Sequence, residues 1–531
     1  LPVRLLAEAT TTIYPRPPTG GSYNHHLSFT ATLPAGGSYN HHLSFTHYFN
    51  ATLSVAKLPV AKLLAQHCFS QNGCKYTLVF IREIIPSKKN RCFVRAQNMA
   101  LALPSTFLKN LDKKLFGFQV FNGLRYGFML LASILLTHVA TQTEVNTIET
   151  LLLVGATATF FFSSSIGHTL VSFAQRFTGE DKAKTYFNAF LLLTSLTFVA
   201  ILCLLIIQQF AQFTDNNVFY GYTIFLFINV ITGVSEIILL IEKKTKELVG
   251  YGVAFYTLYL LAFVLPFFLG YGLEEFLISI NILALIKLMY TLTVLKRFAQ
   301  FQLESTLLFE FLRLNLPVMA SYLMGSAVAY FSFFLVKYNY SDMEFNLYRY
   351  GLREFPLFLV LANSFSTFIS GDVSKRLSEK DSDVLVSYRA KLKRLQHQLF
   401  IPAILLMLSS AYLFQWLLAD AYEPAYLIFN VFLFTVCSRV LFPQSLLVAY
   451  GVNKAMYLAS FLELATGAVL SYFWLAHGLE GMAWALVIAF FVEKLVLLIA
   501  CERLGIPFLK NHPWKEYLAY TAILILSFVL F

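Results

Sequence analysis

The chain is poor in charge. Asp, Glu, Lys and Arg make up 13% of its 531 residues, against about a quarter in an ordinary soluble domain. A normal water-covered surface cannot be built from so few charged groups. The six cysteines, at 68, 74, 92, 203, 437 and 501, show no metal-ligand spacing, and the last three lie in or beside apolar segments as small hydrophobes. H-E-x-x-H, G-x-S-x-G, Walker A and aspartate-rich glycosyltransferase-like motifs are all missing. An enzyme is therefore not expected, and no cofactor or metal is implied. Without a nucleotide-binding domain, transport would run on an ion gradient, the membrane potential or the substrate's own gradient.

Apolar runs fill the space that polar sequence leaves. From about residue 115 to Phe531 they follow one another at roughly the 20-residue length that crosses a bilayer. Thirteen are expected: 115–138, 150–173, 187–210, 218–241, 250–270, 275–295, 315–336, 347–371, 398–418, 424–450, 455–476, 481–501 and 515–531. The predicted fold is an all-α polytopic membrane protein. Two six-helix bundles, helices 1–6 and 7–12, are followed by a thirteenth C-terminal helix.

The gaps between runs alternate in charge. Lys109, Lys113 and Lys114 precede the first run, and Glu144 and Glu149 follow it. Arg176, Lys182 and Lys184 come next, then Asp215, then Lys243, Lys244 and Lys246, then Glu274 and Glu275, then Lys296, Arg297 and Arg313. The second half continues with Asp342 and Glu344, the basic 372–398 gap, Asp420 and Glu423, Lys454, Glu480, and Arg503, Lys510 and Lys515. Basic gaps are cytoplasmic by the positive-inside rule, which places the N-terminus in the cytoplasm. This pattern also accounts for the net charge of +11 without a nucleic-acid partner. The 298–314 linker and the 372–398 gap have the mixed pattern of interfacial amphipathic helices.

Residues 1–98 differ from the rest. Gly20–Thr30 reads GGSYNHHLSFT and Gly36–Thr46 repeats it letter for letter. Repetition without drift reads as duplicated DNA, and two copies are too few for a solenoid. The His25-His26 and His41-His42 pairs lack surroundings that would orient a metal. The expected biological start is Met99, with 1–98 a non-native or disordered extension. The expected division is then a 99–297 lobe, a 298–314 linker, a 315–502 lobe and a thirteenth helix within 503–531.

Ionisable residues at membrane depth mark function by default, because an unpaired charge in hydrocarbon is costly. Arg125 lies roughly 15 Å into the first run, and Arg439 lies similarly deep in the tenth. Lys287 is deep in the sixth. His168 and Glu236 sit nearer the cytoplasmic ends of runs two and four, while Arg349, Arg353 and Glu354 lie in the outer third of run eight. Glu463, Glu493 and Lys494 occupy runs eleven and twelve. The excess of cations favours an anionic substrate, since guanidinium binds phosphate bidentately. The candidate cavity residues are Arg125, Arg439, His168, Lys287 and Arg353. Glu236 and Glu463 are candidates for ion coupling. Pro317, Pro356, Pro402 and Pro443 are expected to kink their helices.

Some of these segments resemble the polysaccharide (O-antigen and capsule) repeat-unit flippases, of the same exporter superfamily as lipid II flippases and MATE exporters. Tyr426 to Lys454 is similar to that family's tenth helix, with a central Arg439 and a Tyr450-Gly451 turn before the basic residue. Gly478-Leu-Glu-Gly481-Met-Ala is similar to the start of its helix twelve, and Ser165 to Phe177 to the end of its helix two. Leu316-Pro317 resembles the start of helix seven, and run eight, Tyr348 to Gly371, is similar in placement to helix eight. The family's helix-seven Asp-Arg pair is absent, since Phe331-Ser-Phe-Phe-Leu stands there. Many members have fourteen helices.

The resemblance covers 115–531. It implies a MATE-like flippase fold in a bacterial inner membrane. The implied substrate is an undecaprenyl-diphosphate-linked oligosaccharide, moved between leaflets by rocking lobes, with glycan polymerase and glycosyltransferases as partners. A MATE-type multidrug exporter and a membrane glycan polymerase or ligase are the alternatives.

Overall fold

The structure is a computed structural model that describes residues 113–358, 360–362, 365–366, 373, 384–450, 454–506 and 508–530. The 1–98 extension, the end of run eight after residue 366, the basic 372–383 stretch apart from residue 373, and the turn at 451–453 lie outside the described residues.

Among the described residues the elements are helical. The first half holds α1 (Lys113–Val139), α2 (Gln142–Ala174), α3 (Gly179–Ala211), α4 (Asn216–Thr232), α5 (Val234–Ile241), α6 (Thr245–Phe268) and α7 (Leu273–Phe298). The second half holds α8 (Ser305–Asn339), α9 (Asp342–Gly351), α10 (Val384–Leu417), α11 (Ala425–Leu433), α12 (Thr435–Arg439), α13 (Pro443–Ala449), α14 (Lys454–Phe473) and α15 (Gly478–Arg503). The short α16 (Phe508–Asn511) and α17 (Trp514–Val529) end the described chain.

Among the described residues, ten helical stretches are long and apolar enough to cross a membrane. The difference from thirteen has plain causes. Runs eleven and twelve join, through one 3₁₀ turn at Trp474–His477, into a single 455–503 stretch. Run eight is interrupted after Gly351, and α17 is only 16 residues long. The outward faces carry large apolar side chains such as Ile206, Phe210, Trp416 and Val529, each more than half exposed. A surface of that kind is stable only in lipid.

The two six-helix bundles share one packing plan. α1 packs on α6 and α8 on α14; α4 packs on α7 and α11 on α15; α6 packs on α7 and α14 on α15. The halves meet chiefly along α2 and α8. Residues 305–314, expected within an interfacial linker, form the first turns of α8. Residues 384–397, expected within an interfacial gap, likewise begin α10.

Two prolines and one glycine mark the breaks. Pro317 and Pro402 lie inside continuous helices. Pro356 and Pro443 instead stand where helix resumes after non-helical residues, a position that suits a residue lacking an N–H. Run four is divided at Gly233.

Candidate functional site

Three clusters of charge lie between the helices. In the first half, Glu236 on α5 is shared by two cations. Arg125 Nη1 of α1 lies 3.4 Å from Oε2, and Lys287 Nζ of α7 lies 3.3 Å from Oε1. Lys287 also donates to Asn229 Oδ1 at 3.2 Å and sits 4.8 Å from the Phe255 ring centre. The break at Gly233 starts α5 at Val234, two residues before Glu236, which therefore sits in a first helical turn, where a carboxylate is favoured. The side chains of Lys287 and Glu236 are 6% and 9% exposed, whereas Arg125 is 44% exposed. Two cations against one acid leave one positive charge in surplus, and it is Arg125 that reaches open space.

The second cluster joins the halves. Glu149 on α2 is wholly buried. Arg349 on α9 donates to its Oε2 from Nε at 3.2 Å and Nη2 at 3.0 Å, and Arg353 donates to Oε1. Arg353 stacks 4.1 Å above Tyr350, and Arg349 4.7 Å above Phe333.

The third cluster is next to it. Arg439, at the end of α12, pairs with Glu354 in the break of run eight. Arg353, Glu354 and Arg439 line a shared cavity with Phe355, Phe429 and Phe432. Its volume is about 10 Å³, roughly enough for one water. Arg353 Nη1 and Glu354 Oε2 are buried without a hydrogen-bond partner among the described residues. A larger, apolar groove of about 420 Å³ runs along Gly123, Leu124, Gly127 and Phe128 of α1 and does not include Arg125.

Of the expected cavity residues, Arg125 and Lys287 come together on Glu236, and Arg353 and Arg439 come together around Glu354. His168 is apart from both groups, with its ring 5.4 Å from Tyr322 of α8. Glu463 on α14 is 4% exposed. It has no ion pair among the described residues and lies within electrostatic reach of Glu493 and Lys494, which pair at 2.7 Å. The residue not singled out from sequence is Glu149. It reads as a loop acid because apolar sequence begins at 150, yet the Thr141–Glu144 capping box starts α2 at Gln142. That S/T-x-x-E signature was the available signal.

No family model matches the chain, and no curated protein matches it in sequence. Solved structures do match. The lipid II flippase MurJ, in an inward closed conformation, is 14% identical over 78% of this chain and 91% of its own, with a TM-score of 0.58. An inward-facing multidrug-resistance MATE transporter is 13% identical over 74% and 96%, at 0.56. A MOP-superfamily transporter from Pyrococcus furiosus is 15% identical over 75% and 95%, at 0.52. This chain has the MOP-superfamily fold. At such identities the likeness is one of architecture, so a reading of function rests on the charge clusters.

Proposed function

We propose that the chain is a transporter that moves undecaprenyl-diphosphate-linked oligosaccharide, a polysaccharide repeat unit, from the cytoplasmic to the outer leaflet by alternating access. The observation that carries this reading is the half-exposed Arg125 near mid-depth. Its one carboxylate is already shared with the buried Lys287. The surplus positive charge and free guanidinium surface suit a diphosphate, which accepts paired N–H donors. Arg439 and Arg353 form the matching subsite in the second half, and His168 lies toward the cytoplasmic end of the pathway. Lys287 neutralises Glu236. Coupling is assigned to Glu463, the expected coupling acid that has no ion pair among the described residues.

The lipid tail would stay in the bilayer while the head group passes between the halves. Glycosyltransferases would supply the substrate in the cytoplasm, and a glycan polymerase would consume it on the outer side. The membrane is then a bacterial inner membrane, with the N-terminus in the cytoplasm.

A multidrug exporter of cationic compounds has the same fold. Its cavity would favour accessible carboxylates, and here Glu236 and Glu463 are 8% and 4% exposed. The test is surface glycan in cells that depend on this chain. Arg125→Gln and Arg439→Gln are expected to abolish it at unchanged protein abundance. Wild-type glycan in both variants would refute the assignment.

A further inference from the structure

The corner between α1 and α2 and the corner between α8 and α9 are copies at an offset of 200 residues. α1 ends at Val139 and α8 at Asn339; α2 begins at Gln142 and α9 at Asp342. Thr141 and Glu144 form a capping box, as do Ser341 and Glu344, and Asn146 matches Asn346. Equivalent positions in two halves related by a twofold-like axis meet only near that axis. Positions 149 and 349 are equivalent, and they meet. Two identical charged residues there would repel. Glu149 and Arg349 instead attract, and Arg353, one turn on, brings a second guanidinium to the same carboxylate.

The contact has no water to fall back on, because Glu149 is 0% exposed. A buried charge requires its partners. Three further polar bonds between the halves lie on this same face, while Thr169 Oγ1 to Asn315 Oδ1 at 2.9 Å and Arg176 to Glu310 at 3.6 Å join the halves at the opposite end of α2. Lys337 Nζ donates to Asn146 Oδ1 at 2.9 Å, the Tyr350 hydroxyl to the Ser133 carbonyl at 3.1 Å, and the Ala419 N–H to Thr137 Oγ1 at 3.2 Å. The cavity beside Arg439 is too small for a diphosphate while these bonds hold. Arg353 spans both places, bonded to Glu149 and lining that cavity with its unpartnered Nη1.

We infer that Glu149, with Arg349 and Arg353, is a charge latch that holds the α1–α2 face of the two halves shut, and that opening it exposes the Arg439 cavity. The latch rests on the proposed function only in taking the halves to move apart; it assumes nothing about the substrate.

The experiment uses the full chain in membrane vesicles of both orientations. The background replaces Cys68, Cys74, Cys92 and Cys203 by Ser, and keeps Cys437 and Cys501, which are buried. The reporter is Thr150→Cys, at a site 1% exposed and adjacent to the latch. A membrane-impermeant maleimide is applied to the α1–α2 face. Glu149→Gln keeps the size of the side chain and removes its charge, and is expected to raise the labelling rate at least tenfold. Glu149→Arg is expected to label as fast, and adding Arg349→Glu to slow it at least threefold. Cys437 stays unlabelled throughout.

Parent-like labelling of Glu149→Gln overturns the latch, as does failure of the charge swap to slow labelling. Should Glu149→Gln not accumulate as folded protein, the swap comparison decides alone. A latch that passes this test in a chain that flips no lipid-linked glycan would refute the substrate and leave the latch standing.

Discussion

The Arg125–Glu236–Lys287 cluster makes a prediction that separates structural charge from functional charge. Lys287 and Glu236 are 3.3 Å apart and less than a tenth exposed. At an effective dielectric near 20 their attraction is about 5 kcal/mol, set against desolvation of both groups. Removing one partner of such a pair typically costs about 3–5 kcal/mol, because the other is left buried and charged. Arg125 is as close to Glu236 but 44% exposed, which places its contribution near the surface range of about 0–1 kcal/mol. Glu236→Gln is therefore expected to destabilise the protein by about 3–5 kcal/mol. Glu236→Gln with Lys287→Met should recover to within about 1 kcal/mol of the parent, and Arg125→Gln should cost about 1 kcal/mol or less while abolishing transport. The assay is a double-mutant cycle on reversible unfolding in detergent micelles, with transport measured at matched abundance. If Arg125→Gln is as destabilising as Glu236→Gln, or the double variant recovers nothing, this division of roles is wrong.

Other outcomes follow from groups outside the spans or from close packing. His512 is buried between Phe508 and Trp514, 3.2 Å from Gln396, and burial, with Arg389 nearby, holds its pKa down at about 3. The unfolded chain takes up that proton first, so stability is full above the ordinary value near 6.5. It falls by up to about 1.4 kcal/mol per pH unit between there and 3. His512→Gln should flatten Tm against pH between 7.5 and 5, and an unchanged slope would contradict this. Glu344 is held below the usual carboxylate range by the Ser341 hydroxyl and N–H; its stabilisation is present above the unfolded value and lost as pH falls through the folded one. Ser341→Ala should cost about 1 kcal/mol in thermal unfolding. A Cβ on Gly351 would lie 2.6 Å from Ile428 Cβ and 2.8 Å from the Ala425 carbonyl. Gly351→Ala should therefore cost about 1–3 kcal/mol by forcing α9 off α11, and an unshifted Tm would count against that packing.

Much of the architecture could be read from hydropathy because a bilayer imposes a length on each crossing. The alternating gap charges kept runs eleven and twelve distinct, although the folded chain joins them through one 3₁₀ turn. Hydropathy could not show that α8 and α10 begin well before their apolar cores, since mixed sequence such as Glu304 to Leu314 suits both an interfacial helix and the extension of a span. Arg125, Lys287, Arg353 and Arg439 stood out as cations in apolar sequence. Their partners were harder to assign, because Glu149 and Arg349 are distant in sequence and pair only through the meeting of the two halves. The Gly233 break was equally silent, as glycine is common within membrane helices.

The most direct test of the central claim is leaflet exchange of a fluorescent undecaprenyl-diphosphate-linked oligosaccharide in proteoliposomes containing the full chain. Protein-dependent flipping that falls at least tenfold in both Arg125→Gln and Arg439→Gln, with unchanged reconstitution, is the predicted result. Flipping no faster than in protein-free liposomes, or rates untouched by both substitutions, would contradict it.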